Sequence, residues 1–191
     1  MDLLDPYYSE PVSVMVSEEY ARAVKGGVGY AKTAGNYGRT LYPVELARKQ
    51  GYKDILWLDG SEKKYVEEIG TMNVFFVVDG KLVTPSIDGT FLEGITRESV
   101  IKIAQDLATE SGAKKIAIEE IVEAHRNGLL EEMFGTGTAA TVTHINRLGF
   151  RGEDYTLDLD KAVISKHIKQ ELEGIKSNAI ADRYGWLKFV D

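Results

Sequence analysis

A glycine-dense segment with a single lysine in its middle constrains this chain more than any other feature. Residues 26–38 read GGVGYAKTAGNYG, in which five of thirteen residues are glycine and Lys32 is the only charged side chain. Glycine lacks a Cβ, so the backbone can adopt positive φ and come close to another group. A lysine desolvated in such a setting can act as a nucleophile. A flexible surface loop is the simpler interpretation of the glycines alone, whereas Asn36 and Tyr37, so close to Lys32, favour a functional one.

Two nucleotide-binding motifs are incomplete in the sequence. A Walker-type phosphate loop needs glycine immediately before its lysine, and Ala31 stands there instead. The dinucleotide pattern G-x-G-x-x-G begins at Gly27 but has Lys32 at its last glycine position. Residues 135–140, GTGTAA, fit the related pattern G-x-G-x-x-A, yet we predict a helix before them and a strand after them, the reverse of the required order. Neither motif alone predicts a nucleotide site.

Charge and composition argue against several function classes. The 191 residues carry a net charge of −7, which disfavours nucleic acid as the main partner. There is no cysteine for a disulfide or a thiolate metal site, and the three scattered histidines show no ligand spacing. No apolar stretch is long enough to span a membrane, and the first residues are acidic, unlike a signal peptide. We therefore expect a cytoplasmic protein that binds no metal, nucleic acid or membrane.

Local patterns predict one mixed α/β domain without repeats or internal linkers. Apolar runs and alternation predict strands, and Asp79-Gly80 predicts the turn of a hairpin within residues 67–85. Apolar residues at helical spacing predict amphipathic helices, one of which has Thr96 as its N-cap and runs to Leu107. The predicted strands are residues 11–16, 54–59, 114–118, 141–145 and 153–157, and the other predicted helices are residues 39–50, 119–127 and 161–174.

Four segments together resemble one enzyme family. They read YARAVKGGVGYAKTAGNYG (20–38), EEIGTMNVFFVVDGKLVTP (67–85), DGTFLEGITRESVI (88–101) and EEMFGTGTAATV (131–142). The chain resembles the fold type IV, D-amino-acid aminotransferase-like, pyridoxal-phosphate enzymes, and specifically the branched-chain amino-acid aminotransferases. The resemblance implies that residues 11–191 form the large C-terminal, cofactor-binding domain and that residues 1–10 are a remnant of the interdomain linker. It also implies that the small N-terminal domain of the family is absent from this chain.

The resemblance assigns the reactive part of the site to three residues. Lys32 corresponds to the lysine that holds pyridoxal 5'-phosphate as a Schiff base and then shuttles a proton. Tyr37 corresponds to the tyrosine that donates a hydrogen bond to the phenolic oxygen of the cofactor. Glu68 corresponds to the carboxylate that keeps the pyridine nitrogen protonated. By position alone a solvated strand carboxylate is the better interpretation of Glu68, and its place in EEIGTMN reverses that preference. Strand alternation places its neighbour Glu67 on the opposite face.

Further contacts are implied for two turns. Leu92 corresponds to the apolar residue against the cofactor ring, and the family usually has proline where Glu93 stands here. The role of Arg22, in the first segment, stays open. The other implied contacts are to the phosphate, from Ile95, Thr96, Gly137 and Thr138, and to the substrate carboxylate, from the backbone of Ala139 and Ala140.

The implied activity is transfer of the amino group of leucine, isoleucine or valine to 2-oxoglutarate, giving glutamate, in a homodimer. A second interpretation is a folded remnant that lacks turnover, because the family's N-terminal domain supplies a phosphate-binding arginine and walls of the substrate pocket. Related fold type IV enzymes, namely D-amino-acid aminotransferases and aminodeoxychorismate lyases, are further alternatives. A nucleotide-binding protein is disfavoured by Ala31.

Overall fold

The computed structural model describes residues 10–107 and 109–188. The linker predicted for residues 1–10 therefore lies outside the described residues, apart from Glu10. The strands are β1 (Val12–Ser17), β2 (Asp54–Leu58), β3 (Val66–Ile69), β4 (Met72–Val78), β5 (Lys81–Pro85), β6 (Ser111–Lys114), β7 (Leu130–Gly137), β8 (Thr141–Phe150) and β9 (Glu153–Thr156). The helices are α1 (Ala34–Gly38), α2 (Leu41–Lys49), α3 (Ile95–Asp106), α4 (Ile118–Arg126) and α5 (Ile164–Lys176), with a 3₁₀ turn at Leu159–Lys161.

Six of the strands close into a ring. β1 lies parallel between β2 and β8, and β8 pairs antiparallel with β7, which pairs with β4. β3 closes the ring because it pairs antiparallel with both β2 and β4. β5 and β6 extend the sheet from β4, and β9 extends it from β8. The result is a small barrel with a short sheet on one side.

Both faces of the ring strands are buried: one face points into the barrel, and helices pack against the other. The largest hydrophobic cluster takes side chains from all six ring strands and from α4. A second cluster joins α3 and α5 to β4 and β7, where Phe75 and Phe134 stack with their ring centroids 5.2 Å apart. Along β2, Leu56 faces the first cluster while Ile55 and Trp57 face α2. Such double-sided burial explains the nearly continuous apolar sequence of β2.

The largest error of the sequence prediction concerns β7. The sequence predicts a helix before residues 135–140, whereas the structure has an eight-residue strand that turns directly into β8. The acidic residues suggest the polar face of a helix, but Glu132 is buried and caps α5 from a distance. Its carboxylate accepts the backbone N–H groups of Val163, Ile164 and Ser165, each at 2.8 Å. That long-range cap cannot be deduced from local spacing.

Three other boundaries differ from the prediction. Gly94, and not Thr96, is the N-cap of α3, and its lack of a side chain lets it pack against Asn73. Residues 67–85 contain two turns. β3 ends at Ile69 and is followed by a turn at Gly70, whose φ is +54°, before the predicted turn at residues 79–80. The predicted strand at 114–118 ends at Lys114, and residue 117 makes only an isolated bridge before α4 begins.

Candidate active site

Glu68 lies on β3 in a buried ion pair that joins two distant parts of the chain. Its Oε2 is 2.8 Å from Nε of Arg22, and both side chains are about 5% exposed or less. Arg22 also donates from Nη2 to the backbone carbonyl of Thr90, at 2.7 Å. Asn73 on β4 donates from Nδ2 to Oε1 of Glu68, at 3.3 Å. Arg22, whose role the sequence leaves open, therefore orients Glu68 and connects it to the loop before α3.

Burial controls the charge of this carboxylate. Desolvation raises the pKa of Glu68 to about 7, against the opposing attraction of Arg22 and Lys32. The ionised form of Glu68 is therefore held at a cost in free energy. An additional positive charge beside it would lower its pKa and stabilise the pair, so the position favours a cationic ligand group.

Lys32 and Tyr37 lie on the exposed side of the same region. Lys32 is exposed, and its Nζ is 5.4 Å from the centre of the Tyr37 ring. The short helix α1 begins just after it, and the buried Asn36 donates from Nδ2 to the carbonyls of Val28 and Ala31, each at 2.8 Å. The Asn36 amide thus holds the loop in place while leaving the amine of Lys32 accessible.

The glycines of this loop serve different purposes. A Cβ on Gly29 would overlap the backbone carbonyl of Thr90, the same group that accepts the hydrogen bond from Arg22. Gly26 has φ of +82°, a conformation that side chains other than glycine rarely adopt. Gly35 and Gly38 face open space. The glycine density predicts a close backbone approach. The structure has that approach at Gly29, in the first half of the segment, where the backbone lies against the loop that precedes α3.

Asn73 connects the carboxylate to the start of α3. Strand register places Glu68 opposite Asn73, and Asn73 opposite Thr136 on β7. The same Asn73 amide donates to the carbonyl of Leu92, at 2.9 Å. A Cβ on Gly94 would overlap the Asn73 Oδ1 atom. Sequence reasoning missed Asn73, although a buried amide inside the apolar strand MNVFFVV is a recognisable signal.

Ile95 and Thr96 are the first two residues of α3, where backbone N–H groups have no partner within the helix. Together with Thr138 they line a cavity of about 850 Å³ between α3 and α5, which Lys102 and Lys176 also line. Lys32, Tyr37 and Glu68 do not line it, so this cavity extends away from Lys32. Free N–H groups, hydroxyls and two lysines make this end of the site suitable for an anion.

Residues 137–141 form the tight turn between β7 and β8. Gly137 ends β7, and Thr141 begins β8 with φ of +50°. Thr138 and Ala139 are exposed, and Ala140 is half-buried. Since Thr136 pairs with Asn73, register brings this turn to the same end of the barrel as Glu68. Both turns therefore lie at the end of the barrel where Asn73 is.

The remaining predicted positions have simple surroundings. Leu92 is half-buried. Glu93 stands where the family usually has proline, and its side chain is exposed, so its charge is not buried. Within residues 10–107 and 109–188, no three histidine or acidic side chains form a group that could hold a metal ion. No helix in the described part of the chain is both long and apolar enough to cross a membrane.

The sequence matches one protein family and several curated relatives. The family model described as "Amino-transferase class IV" matches residues 3–148. "Branched-chain-amino-acid aminotransferase 2" of Bacillus subtilis (strain 168) is 45% identical over 184 residues, covering 94% of this chain and 51% of that protein. A "Probable branched-chain-amino-acid aminotransferase" of Staphylococcus epidermidis is 44% identical over 174 residues, covering 91% and 49%. The chain thus spans about half the length of these curated relatives.

Solved structures show the same relationship. The branched-chain amino acid aminotransferase from Escherichia coli aligns with a TM-score of 0.77 at 30% identity, covering 93% of this chain and 57% of that one. An aminotransferase from Brucella abortus, solved with the cofactor PLP bound, aligns with a TM-score of 0.72 at 27% identity, covering 88% and 56%. The barrel is therefore the fold of the type IV aminotransferases. Because the family model covers most of the sequence and the relatives cover nearly all of it, this chain belongs to the class IV aminotransferases.

Proposed function

We propose that this chain is the cofactor-bearing domain, residues 11–191, of a branched-chain amino-acid aminotransferase. The proposed reaction moves the amino group of leucine, isoleucine or valine to 2-oxoglutarate with pyridoxal 5'-phosphate as cofactor. The buried Arg22–Glu68 pair, placed so that the charge of Lys32 acts on it, is the observation that carries the proposal. The printed names of the relatives support the choice of substrate, and the PLP bound in the Brucella abortus structure supports the choice of cofactor.

The residues present fit this cofactor. A carboxylate whose pKa burial raises to about 7 gains stability from a protonated pyridine nitrogen. An accessible amine and a nearby phenol, Lys32 and Tyr37, match its aldehyde and its phenolic oxygen. Bound pyridoxal phosphate supplies an electron sink for negative charge at the substrate Cα. The ring and phosphate would be held by Leu92, Ile95, Thr96, Gly137 and Thr138.

The chain's own groups divide the work of the reaction. With the cofactor bound, the amine of Lys32 would take the proton from the substrate Cα and deliver it to the aldehyde carbon of the cofactor. Glu68, held by Arg22 and Asn73, keeps negative charge beside the ring nitrogen. The turn after Gly137 offers the N–H groups of Ala139 and Ala140 to the substrate carboxylate.

Exposed apolar side chains surround the reactive loop. Val28 and Tyr30 are 51% and 60% exposed, and Leu41 and Tyr42 on α2 are 73% and 62% exposed. We expect this face to be covered by the second subunit of a homodimer and by the N-terminal domain of the family. Water reaches Lys32 when the face is bare, so the 191 residues alone should turn over poorly. A cofactor-binding domain without turnover is thus the second candidate.

Borohydride reduction tests the proposal directly. The chain is incubated with pyridoxal phosphate, reduced, digested and mapped by mass spectrometry. The expected result is a phosphopyridoxyl group on Lys32 and none on Lys25, a matched exposed lysine in the same loop. Label at Lys25, or at no single site, would contradict the assignment. A coupled glutamate assay with leucine and 2-oxoglutarate then separates the two candidates, because only the first predicts turnover when the N-terminal half of a relative is added.

A further inference from the structure

Glu67, the neighbour of Glu68 on β3, is a buried carboxylate that the proposed reaction does not use. Its side chain is on the opposite face of the strand, because successive residues alternate. The residue is 3% exposed, and neither carboxylate oxygen accepts a hydrogen bond of ordinary geometry from the described part of the chain. The hydroxyl of Thr90, which lies close by, donates to Asp88 at 2.7 Å instead. A buried carboxylate without a donor is costly, so this position favours a donor that comes from outside.

A cavity of about 240 Å³ lies against Glu67. One water occupies about 30 Å³ in the liquid, so the cavity has room for a molecule of several heavy atoms. Its apolar wall is formed by Val66, Pro85 and Phe91. The exposed lysines Lys25 and Lys115 lie at its rim. The lining of the cavity therefore includes one buried acidic residue and two exposed lysines.

The other acidic groups that line the cavity already have donors or water. The carboxylate of Asp59 accepts four backbone N–H groups at 2.7–3.1 Å. Asp88 accepts both the N–H and the hydroxyl of Thr90. Glu62 is exposed. Neither Lys25 nor Lys115 forms an ion pair within the described residues, and Nζ of Lys115 is 4.3 Å from the Tyr65 ring centre. Within the described residues, Glu67 is thus the buried carboxylate of this lining without a hydrogen-bond donor, and Lys25 and Lys115 are lysines of the lining without an ion pair.

We propose that this cavity binds a small zwitterion of the amino-acid type. Its primary ammonium group donates to the carboxylate of Glu67, and its carboxylate pairs with Lys25 and Lys115. Phe91 and Pro85 contact the carbon atoms between them. The site lies on the opposite face of β3 from Glu68 and requires no cofactor, so it stands apart from the proposed transamination.

Binding should depend on pH, because the ammonium group needs the ionised form of Glu67. Burial raises the pKa of this carboxyl to about 7, with the positive charge of Arg22 opposing the shift. Affinity should therefore increase from about pH 6 to about pH 8, as Glu67 loses its proton. The other charged groups facing the cavity or acting on Glu67 are Arg22, Lys25, Asp59, Glu62, Lys63, Asp88 and Lys115.

Isothermal titration calorimetry of the cofactor-free 191-residue chain tests the proposal with three matched probes. L-alanine carries both charged groups, ethylamine lacks the carboxylate, and propionate lacks the ammonium group. The expected result is saturable binding of L-alanine, weaker by about tenfold for ethylamine and absent for propionate. Equal binding of all three, or no binding of L-alanine at pH 8, would overturn the proposal.

Three variants locate the site. Glu67→Gln should weaken L-alanine binding by about tenfold or more, since the amide keeps the shape but loses the charge. Glu62→Gln removes the same charge at the exposed rim and should change affinity by less than about threefold. Lys32→Ala should leave binding intact, which separates this cavity from the proposed cofactor site. Retained affinity in a folded Glu67→Gln protein, checked by circular dichroism, would refute the assignment, whatever the borohydride experiment shows.

Discussion

The site has a buried side on the barrel strands and an open side on the loops. The side chains of the buried side are held by hydrogen bonds and an ion pair, whereas those of the open side face solvent. Arg22, Glu68 and Asn73 are 3–5% exposed and bond to one another or to backbone carbonyls. Lys32 is exposed, and Ile95 is 83% exposed. The buried side is fixed by the fold, whereas the open side presents reactive groups to whatever binds. Substitutions on the first should therefore change stability as well as chemistry, and those on the second should change chemistry alone.

Lys32→Ala should give the largest change on the open side. Removing the amine abolishes covalent capture, so affinity for pyridoxal phosphate should fall by roughly 10²-fold or more, the scale of a lost covalent and catalytic group. Titration followed by absorbance measures the affinity. Because Lys32 is exposed, the urea midpoint should not change. A large loss of stability would contradict the division into a buried and an open side.

Arg22→Leu should give the largest change on the buried side. It leaves the Glu68 carboxylate buried without its cation, which costs about 3–5 kcal/mol in comparable pairs. Urea unfolding measures the free energy. The double variant Arg22→Leu/Glu68→Leu should recover much of that loss, because no unpaired charge remains. Equal loss in the single and double variants would show that Arg22 stabilises the fold through packing and its bond to Thr90 instead.

Local sequence patterns predicted the parts of the fold that depend on neighbours in sequence. β1, α2 and β2 follow from apolar spacing, and Asp79-Gly80 forms the predicted turn, with φ of +51° and +70°. β7 was missed because its glutamate caps a helix 31–33 residues away. The Glu132 carboxylate finds its hydrogen-bond donors only when α5 packs beside β7.

The site divides in the same way. Lys32 could be proposed as the reactive lysine from its own loop, because the glycines that mark it are adjacent in sequence. The sequence alone could not pair Arg22 with Glu68, because the two residues are brought together only when the segment of Arg22 packs against β3. The contact of Arg22 with the Thr90 carbonyl likewise depends on the folded chain. The alternation of Glu67 and Glu68 was predictable, but the burial of both carboxylates was not. Burial on both faces arises only when the barrel closes.

Glu67→Gln should stabilise the chain at alkaline pH in the absence of amino acids. The folded-state pKa of Glu67 is raised to about 7 from 4.5, so its contribution to stability is fully present below about pH 4.5. That contribution is lost as pH rises through about 7. At pH 8 the glutamine variant should be more stable by about 2 kcal/mol, and the difference should vanish near pH 4. Urea unfolding at both values measures it, and a difference independent of pH would contradict the titration of Glu67.

Gly35→Ala should give the smallest effect and separates the two halves of the glycine segment. Gly35 lies in α1 with open space at its Cβ position, so alanine should stabilise the chain by about 0.5 kcal/mol through reduced freedom of the unfolded state. Gly29→Ala is the matched control, because its Cβ would overlap the Thr90 carbonyl and should cost about 1–3 kcal/mol. Thermal unfolding of the two variants measures both values. Equal destabilisation would mean that α1 also packs closely, and that the open side of the site is as tightly constrained as the buried one.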